Sequence, residues 1–297
     1  MKVFLTGGTG VVGTRAVPAL VAAGHEVTAV ARSAAKADLV RSLGASPASV
    51  DLFDPAAVKA AVEGHDSVVH LATHIPPLSK AGRAKAWEVN ERLRREASAH
   101  LIDAAQATGA ARYVQESICF PYLDQGDAWI DEDAPVDHIG PFAGSAVAEA
   151  GAARFDAGGG AGVVLRFAQF HGPGSGHVET FNAIARRRIN PFVGAPDSYA
   201  SFIHADDAGA AVAAAFELPG GIYNVADDEP LTRADAGAAI SAALGVKPPK
   251  AVPRAVRAIL PASAKLMMKS LRISNARLKA ASSWTPRHPS IRGSWAT

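Results

Sequence analysis

Short apolar runs and stretches of helical periodicity alternate from the first residues of the chain. VFLTG (3–7) reads as a buried strand and VVGTRAVPALVAAG (11–24) as a helix stopped by Gly24. EVTAVAR (26–32) gives a second strand, 38–44 a short helix, and a third strand ends at Val50 or Leu52. Asp54-Pro55 is a capping residue followed by proline at the first helical position, so a helix starts there. SVVHLAT (67–73) is a fourth strand, a helix runs from about 85 to 108 and stops at Gly109, and ARYVQES (111–117) is a fifth strand. Pro18 lies inside the first helix, which must kink or start later. Strands alternating with helices need right-handed crossovers that cover both faces of a parallel sheet. The expected fold is therefore α/β, a doubly wound, Rossmann-like parallel sheet of the kind that binds dinucleotides.

Beyond residue 150 the pattern changes. GVVLRFAQF (162–170) is another strand, the stretch to Ala200 is rich in glycine and proline, and SFIHADDAGAAVAAAF (201–216) is a strand end running into an amphipathic helix. This predicts a smaller C-terminal α/β lobe. Residues 1–165 form the dinucleotide-binding domain, with 202–226 returning to it, while 166–201 and 227–297 form the substrate-binding lobe. Within that lobe 255–273 reads as a basic, partly amphipathic core or lid helix.

Composition narrows the function. The chain has 297 residues, 48% hydrophobic and 20% charged, which suits soluble globular material. Its single cysteine, Cys119, excludes an internal disulfide framework and a thiolate metal cluster, and points to a reducing, cytoplasmic compartment. MKVFLTGG is neither a signal nor a transit peptide, and no apolar run reaches membrane-spanning length. The net charge of +2 hides an asymmetry: from residue 236 onward there are 11 Lys or Arg and no acid, leaving 19 bases against 28 acids before it. Such a segment meets an acidic partner or an anionic substrate, or it neutralises the earlier acids within the fold. Nucleic acid is not an expected partner, because the one dense basic run, 186–188, lacks interleaved aromatics.

GGTGVVG (7–13) carries the chemistry of the first half. Gly7, Gly10 and Gly13, with Val11 and Val12 between them, lie between a strand and a helix. There the missing side chains let the backbone approach a pyrophosphate and the helix N-terminus favours its charge. Cofactor choice is read at the end of the second strand. An NAD(H) site places Asp or Glu there to bond the ribose hydroxyls, but 19 residues after Gly13 stands Arg32, followed by Ser33 and Lys36. A guanidinium suits a 2′-phosphate, so NADP(H) is the expected cofactor. Asp51 and Leu52 are expected near the adenine, and Leu71, Ala72 and Thr73 along the dinucleotide's path.

The chain resembles an extended short-chain dehydrogenase/reductase of the NAD-dependent epimerase/dehydratase family nearly end to end. The motifs are GGTGVVG, DLFD (51–54), HLAT (70–73), Asn90 in the long helix, YVQES (113–117), VLRFAQFHGPG (164–174), FIHADDAGAA (202–211), YNVADDEPLT (223–232) and SNARLKAASSWTPRHPS (274–290). The resemblance implies that Gly7, Gly10, Gly13, Arg32, Asp51, Leu52, Ala72, Asn90 and Phe167 frame the cofactor, that the lobe after Arg166 binds substrate, and that a homodimer pairs through the long helices. It also exposes a departure. Such enzymes carry Tyr four residues before Lys at the start of the helix after the fifth strand, where the phenol moves a proton and the ammonium lowers its pKa. Here the frame is GPFAGSAVAE, with Phe142 and Ala146 at those places, and no Tyr is followed four residues later by Lys anywhere in the chain.

Ser117 matches the family's substrate-orienting hydroxyl. Glu116, beside it, and Tyr122, five residues on, are the candidate replacements for the lost acid and base. Neighbours on a strand point to opposite faces, so Glu116 and Ser117 enter the same pocket only if the strand has ended. His171 in the HGPG loop is a further acid or base candidate, whereas His70 and His74 lie on a strand and its loop, a poor metal-binding arrangement. THIPPL (73–78) and Trp87 suggest a partly apolar pocket wall. The expectation is an NADP(H)-dependent enzyme on a small, partly apolar molecule, by reduction, epimerisation or dehydration. The alternatives are a redox-silent isomerase, cyclase or lyase on the same fold, and a non-catalytic NADP(H)-responsive binding protein.

Overall fold

The strand order that positions the site is set by where the chain reverses. A computed structural model describes residues 1–250 and 266–295. Its central sheet has seven strands: β1 (Lys2–Thr6), β2 (Glu26–Val30), β3 (Ser46–Ala48), β4 (Ser67–His70), β5 (Arg112–Ile118), β7 (Ala161–Phe167) and β11 (Gly221–Val225). Their spatial order is β11-β7-β5-β4-β1-β2-β3, and every pairing is parallel. The chain runs outward from β1 to β3 and then returns to the other side of β1 as β4. A crevice therefore opens beyond the carboxyl ends of β1 and β4, the usual place for a ligand in such sheets.

On one face α1 (Gly13–Ala22) packs against α8 (Ala205–Ala214), so closely that a Cβ on Gly209 would lie 2.3 Å from the Arg15 Cβ. The other face carries α3 (Pro55–Val62), α5 (Ser98–Ala107) and α6 (Ala143–Ala157) over Phe4, Val68, Leu101, Tyr113 and Phe155. A third apolar cluster, built from Phe181, Phe192, Phe202, Leu231, Ile240 and Trp295, forms the core of the C-terminal part. No described helix is long and apolar enough to cross a membrane.

Several boundaries differ from the sequence pattern. α1 begins at Gly13 and continues through Pro18, which lies on its exposed side. α2 spans Ala34–Ser42 rather than 38–44, because Ser33 caps it by accepting from Lys36 N at 3.4 Å. The helix expected over 85–108 is a 3₁₀ turn (Ala84–Trp87), α4 (Glu88–Arg92), a π turn (Leu93–Ala97) and then α5. Of 202–226 only β11 joins the main sheet; β10 (Phe202–His204) pairs instead with β8 (Gln169–His171). Residues 255–265 of the basic stretch lie outside the described residues, and its end forms β13 (Arg272–Ile273), which pairs with β6 (Trp129–Ile130). Several bases of this C-terminal part meet acids from earlier in the chain: Arg277 with Glu132 and Asp133, Lys279 with Asp228, and Arg292 with Glu229 and Asp235.

Candidate functional site

The glycine loop owes its shape to close approaches that side chains would block. Gly7 has φ +81°, and a Cβ on it would fall 2.5 Å from the Leu71 carbonyl carbon; one on Gly13 would fall 2.1 Å from Gly7 O. Gly10 is different. It is exposed, and an added Cβ would meet only Gly7 O at 3.3 Å, leaving open the side from which a pyrophosphate approaches the start of α1. Val11 is half-buried, while Val12 and Leu71 are buried behind the loop. Ala72 and Thr73 follow β4 as half-buried and exposed residues, at the edge the crevice uses.

At the end of β2, Arg32 and Ser33 are exposed and Lys36 reaches back so that its Nζ donates to Thr9 Oγ1 at 2.9 Å. Arg32 takes part in none of the ion pairs among the described residues. Two cations, a hydroxyl and the N-terminus of α2 thus gather beside the glycine loop with no carboxylate at the ribose-reading place. Asp51 is exposed and accepts from Phe53 N at 2.9 Å; Leu52 is half-buried. Asn90 is fully buried: its Oδ1 accepts from His74 N at 3.0 Å, but its Nδ2 has no partner. A buried amide donor without an acceptor is costly unless something supplies one. This orphan, the open side of Gly10 and the cationic corner together fit a phosphorylated dinucleotide.

The polar groups around the end of β5 are engaged with the protein itself. Glu116 accepts from Arg94 Nη2 at 2.9 and 3.1 Å, and both side chains are buried. Arg94 reaches it from the π turn. Ser117 is fully buried and donates to Glu149 Oε1 at 2.5 Å. Glu149 in turn accepts from Arg166 Nε at 3.0 Å and Nη2 at 2.7 Å. Tyr122 is also fully buried; its hydroxyl donates to Asn224 Oδ1 and accepts from Arg166 Nη1, each at 2.8 Å, and burial pushes the phenol's pKa up. The three candidate catalytic groups are thus brought near one another, yet each is sealed against protein partners. Phe167 is buried at the end of β7, and its carbonyl accepts from Cys119 N.

The partners of Glu116 and Ser117 were not readable in the sequence. Arg94 is 22 residues from Glu116, and Glu149 is 32 from Ser117, with no local signal joining them. His70 is buried between Thr6 Oγ1 and Leu93 O, and burial pushes its pKa down to about 4. His171 is buried beside His204 and His288, its pKa pushed down to about 3, chiefly by burial. Among the described residues one group has metal-ligand spacing, His204, Asp206 and His288; Asp206 is paired with Arg15 at 3.1 Å and His204 Nδ1 caps α8, so those ligand atoms have partners already.

Where α6 meets the end of β5, two aromatic rings pack together. Phe142, in the 3₁₀ turn that opens α6, is 4% exposed and stacks on Phe120 with ring centres 5.8 Å apart. Phe120 also lines a cavity of about 190 Å³ that extends from the ends of β5 and β7 into the C-terminal part.

Residues 7–134 match the NAD(P)H-binding family. A Streptomyces protein named 3-diazoavenalumate denitrifying reductase is 35% identical over 305 positions, spanning 98% of either chain. The chain belongs to the same family as this reductase, and its first part is NAD(P)H-binding by the match over 7–134. Solved structures share the fold: the human epimerase family protein SDR39U1 (isoform 2) with NADPH has a TM-score of 0.77 at 21% identity, covering 99% of this chain and 98% of that one. The UDP-Glc/GlcNAc 4-epimerase of Campylobacter jejuni has a TM-score of 0.76 at 18% identity, covering 98% and 95%. The glycine loop and β2 lie within the matched residues.

Proposed function

We propose that this chain is an NADP(H)-dependent reductase of a small, partly apolar molecule, working without a Tyr/Lys pair. The observation that carries this reading is the Phe120–Phe142 stack, beside which Glu116, Ser117 and Tyr122 are buried against protein partners. Gly7, Gly10 and Gly13 would hold the pyrophosphate, Arg32, Ser33 and Lys36 the 2′-phosphate, and Asn90 with residues 71–73 the far half of the dinucleotide. When bound, the reduced nicotinamide supplies a hydride. The residues around it orient the acceptor and exclude water, and positioning alone lowers a barrier by about 7–11 kcal/mol in favourable cases.

Such a site favours an acceptor that needs no proton at the reacting atom. The name of the Streptomyces relative supports one, a diazo compound reduced with loss of nitrogen. An aryl diazonium that gains a hydride forms a C–H bond while the C–N bond breaks and dinitrogen leaves, so charge balances without an acid. The test is to titrate the protein with NADPH and NADH by fluorescence, then follow NADPH consumption with an aryl diazonium acid and with simple ketones. NADPH binding with turnover of the diazonium is the expected result. Ketone reduction with a pH profile of a titrating acid, or preference for NADH, would overturn the corresponding part. The double substitution Phe142→Tyr with Ala146→Lys sharpens this: ketone reduction should appear where it was absent, and native-level ketone reduction already present in the parent refutes the missing-acid reading.

A further inference from the structure

The cavity beyond β5 and β7 has an almost wholly apolar wall, to which Phe120, Phe181, Phe192, Met267 and Leu271 contribute. Its volume, about 190 Å³, is below the roughly 300–1,000 Å³ of pockets that enclose drug-sized ligands, so a nucleotide sugar is too large for it. Besides Ser201, whose hydroxyl donates to Leu271 O and accepts from Ile273 N, three polar side chains interrupt the apolar surface. Gln169 and Tyr199 line it, both half-buried, and neither the Gln169 amide nor the Tyr199 hydroxyl has a hydrogen-bond partner among the described residues. The third is Arg233, which is 4% exposed.

Arg233 is unusual in its partners. Its Nη1 donates to Ser198 Oγ and to Tyr199 O at 3.1 Å, and its Nη2 donates to Met267 O and Lys269 O, both at 2.9 Å. All four acceptors are uncharged, so the guanidinium is held in place without a bonded carboxylate. Burial pushes its pKa down to about 10, opposed only by the Asp124 carboxylate, whose own oxygens accept from Gly126 N and Ser270 N. A buried charge without a counter-charge is unfavourable, and an anion entering the cavity relieves it in a medium that screens poorly.

We propose that this cavity binds a small aromatic carboxylate, its ring among Phe120, Phe181 and Phe192 and its anionic end toward Arg233 and Gln169. The inference rests on the reading that this lobe holds the substrate, and it narrows that substrate to anionic aromatic acids. Arg233 acts through charge, since its terminal N–H groups are engaged; Gln169 supplies the free donor. Neutral apolar ligands fill the same space but leave the guanidinium uncompensated.

Calorimetric titration of the full-length protein with trans-cinnamate, cinnamamide and UDP-glucose tests this. Cinnamate should bind at least about tenfold more tightly than the isosteric amide, in the range expected for one desolvated charge interaction. Gln169→Glu places a carboxylate in the wall and should erase that tenfold advantage, with the melting temperature unchanged and cinnamamide affinity retained. Arg233→Gln should do the same, and if it fails to fold the Gln169 variant still decides the matter. Equal binding of acid and amide, no binding of cinnamate, tighter binding of UDP-glucose, or indifference to Gln169→Glu each overturns the proposal. NADPH titrated in parallel separates the two readings: lost NADPH binding with intact cinnamate binding refutes the reductase, and the reverse refutes the cavity's ligand.

Discussion

Replacing Glu116 with glutamine distinguishes a stabilising partner from a proton carrier at the end of β5. Both carboxylate oxygens accept from Arg94, and the two side chains are 2% and 8% exposed. Glutamine keeps the shape and one acceptor but removes the charge, leaving Arg94 ionised in the layer between the π turn, β5 and α6, where its Nε already lacks a partner. Breaking a buried ion pair from one side costs about 3–5 kcal/mol. The remaining amide oxygen places this substitution at the lower end, about 3 kcal/mol, against a total stability on the order of 5–15 kcal/mol. At about 2–4 °C per kcal/mol for a large domain, the melting temperature falls by roughly 6–12 °C. Urea unfolding followed by circular dichroism reads the loss, with an unchanged slope showing that the same surface is exposed. Removing both charges together, Arg94→Met with Glu116→Leu, should recover most of it, because a well-packed apolar pair does not carry the desolvation cost. Turnover measured well below the transition should keep its pH profile. If Glu116→Gln leaves the unfolding midpoint in place and abolishes turnover or displaces that profile, the carboxylate carries protons and its burial has been misread.

Three further outcomes follow from the geometry. Arg32→Glu with Lys36→Ala should weaken NADPH by at least about tenfold and leave NADH unchanged by fluorescence titration, since charged hydrogen bonds contribute about 1.5–3 kcal/mol each. Gly13→Ala, whose Cβ would sit 2.1 Å from Gly7 O, should lose both NADPH binding and thermal stability, whereas Gly10→Ala, with 3.3 Å of clearance, should lose mainly the binding. His70 and His171 have pKa values pushed down from 6.5 to about 4 and about 3, with burial the largest cause and His204, His288 and His177 adding to it at His171. The unfolded chain binds these protons near 6.5 and the folded chain does not, so their contribution is whole at neutral pH and is lost as pH falls from about 6.5 toward 4. Urea midpoints should drop across that window, and less steeply in His70→Gln.

How much of this was readable in the chain depended on the range of the interaction that decides it. The strand–loop–helix of residues 2–22 was readable from its own residues, since Gly13 meets backbone only a few positions away, although Gly7 is also fixed by the backbone of Leu71 and Ala72 just beyond β4. The start of α2 was also legible, through the Ser33 cap, although the apolar pattern alone placed it four residues late. The π turn was not. It places Arg94, in a helix, against Glu116, in a strand, and only the folded chain brings the two together. Tyr122 fails for the same reason: its neighbours in sequence suggest a loop phenol, while Arg166 and Asn224, 44 and 102 residues away, make it part of the interior.

These long-range pairs also explain what the reacting end can do. A carboxylate, a hydroxyl and a phenol at the edge of a sheet look like an acid–base set when read along the chain. Joined to Arg94, Glu149, Arg166 and Asn224, they become buried groups bonded to distant parts of the chain, while Arg94 Nε is left without a partner. Beside them lies an apolar pair, Phe120 stacked on the buried Phe142. In the proposed reductase, catalysis depends on where the acceptor is held, and the proposed anchors are Arg233 by its charge and Gln169 by its side-chain amide, both lining the neighbouring cavity. Substrate choice and rate are then set by the same contacts. A change that loosens the anion should lower turnover as well as affinity, a coupling that a site with its own general acid would not show.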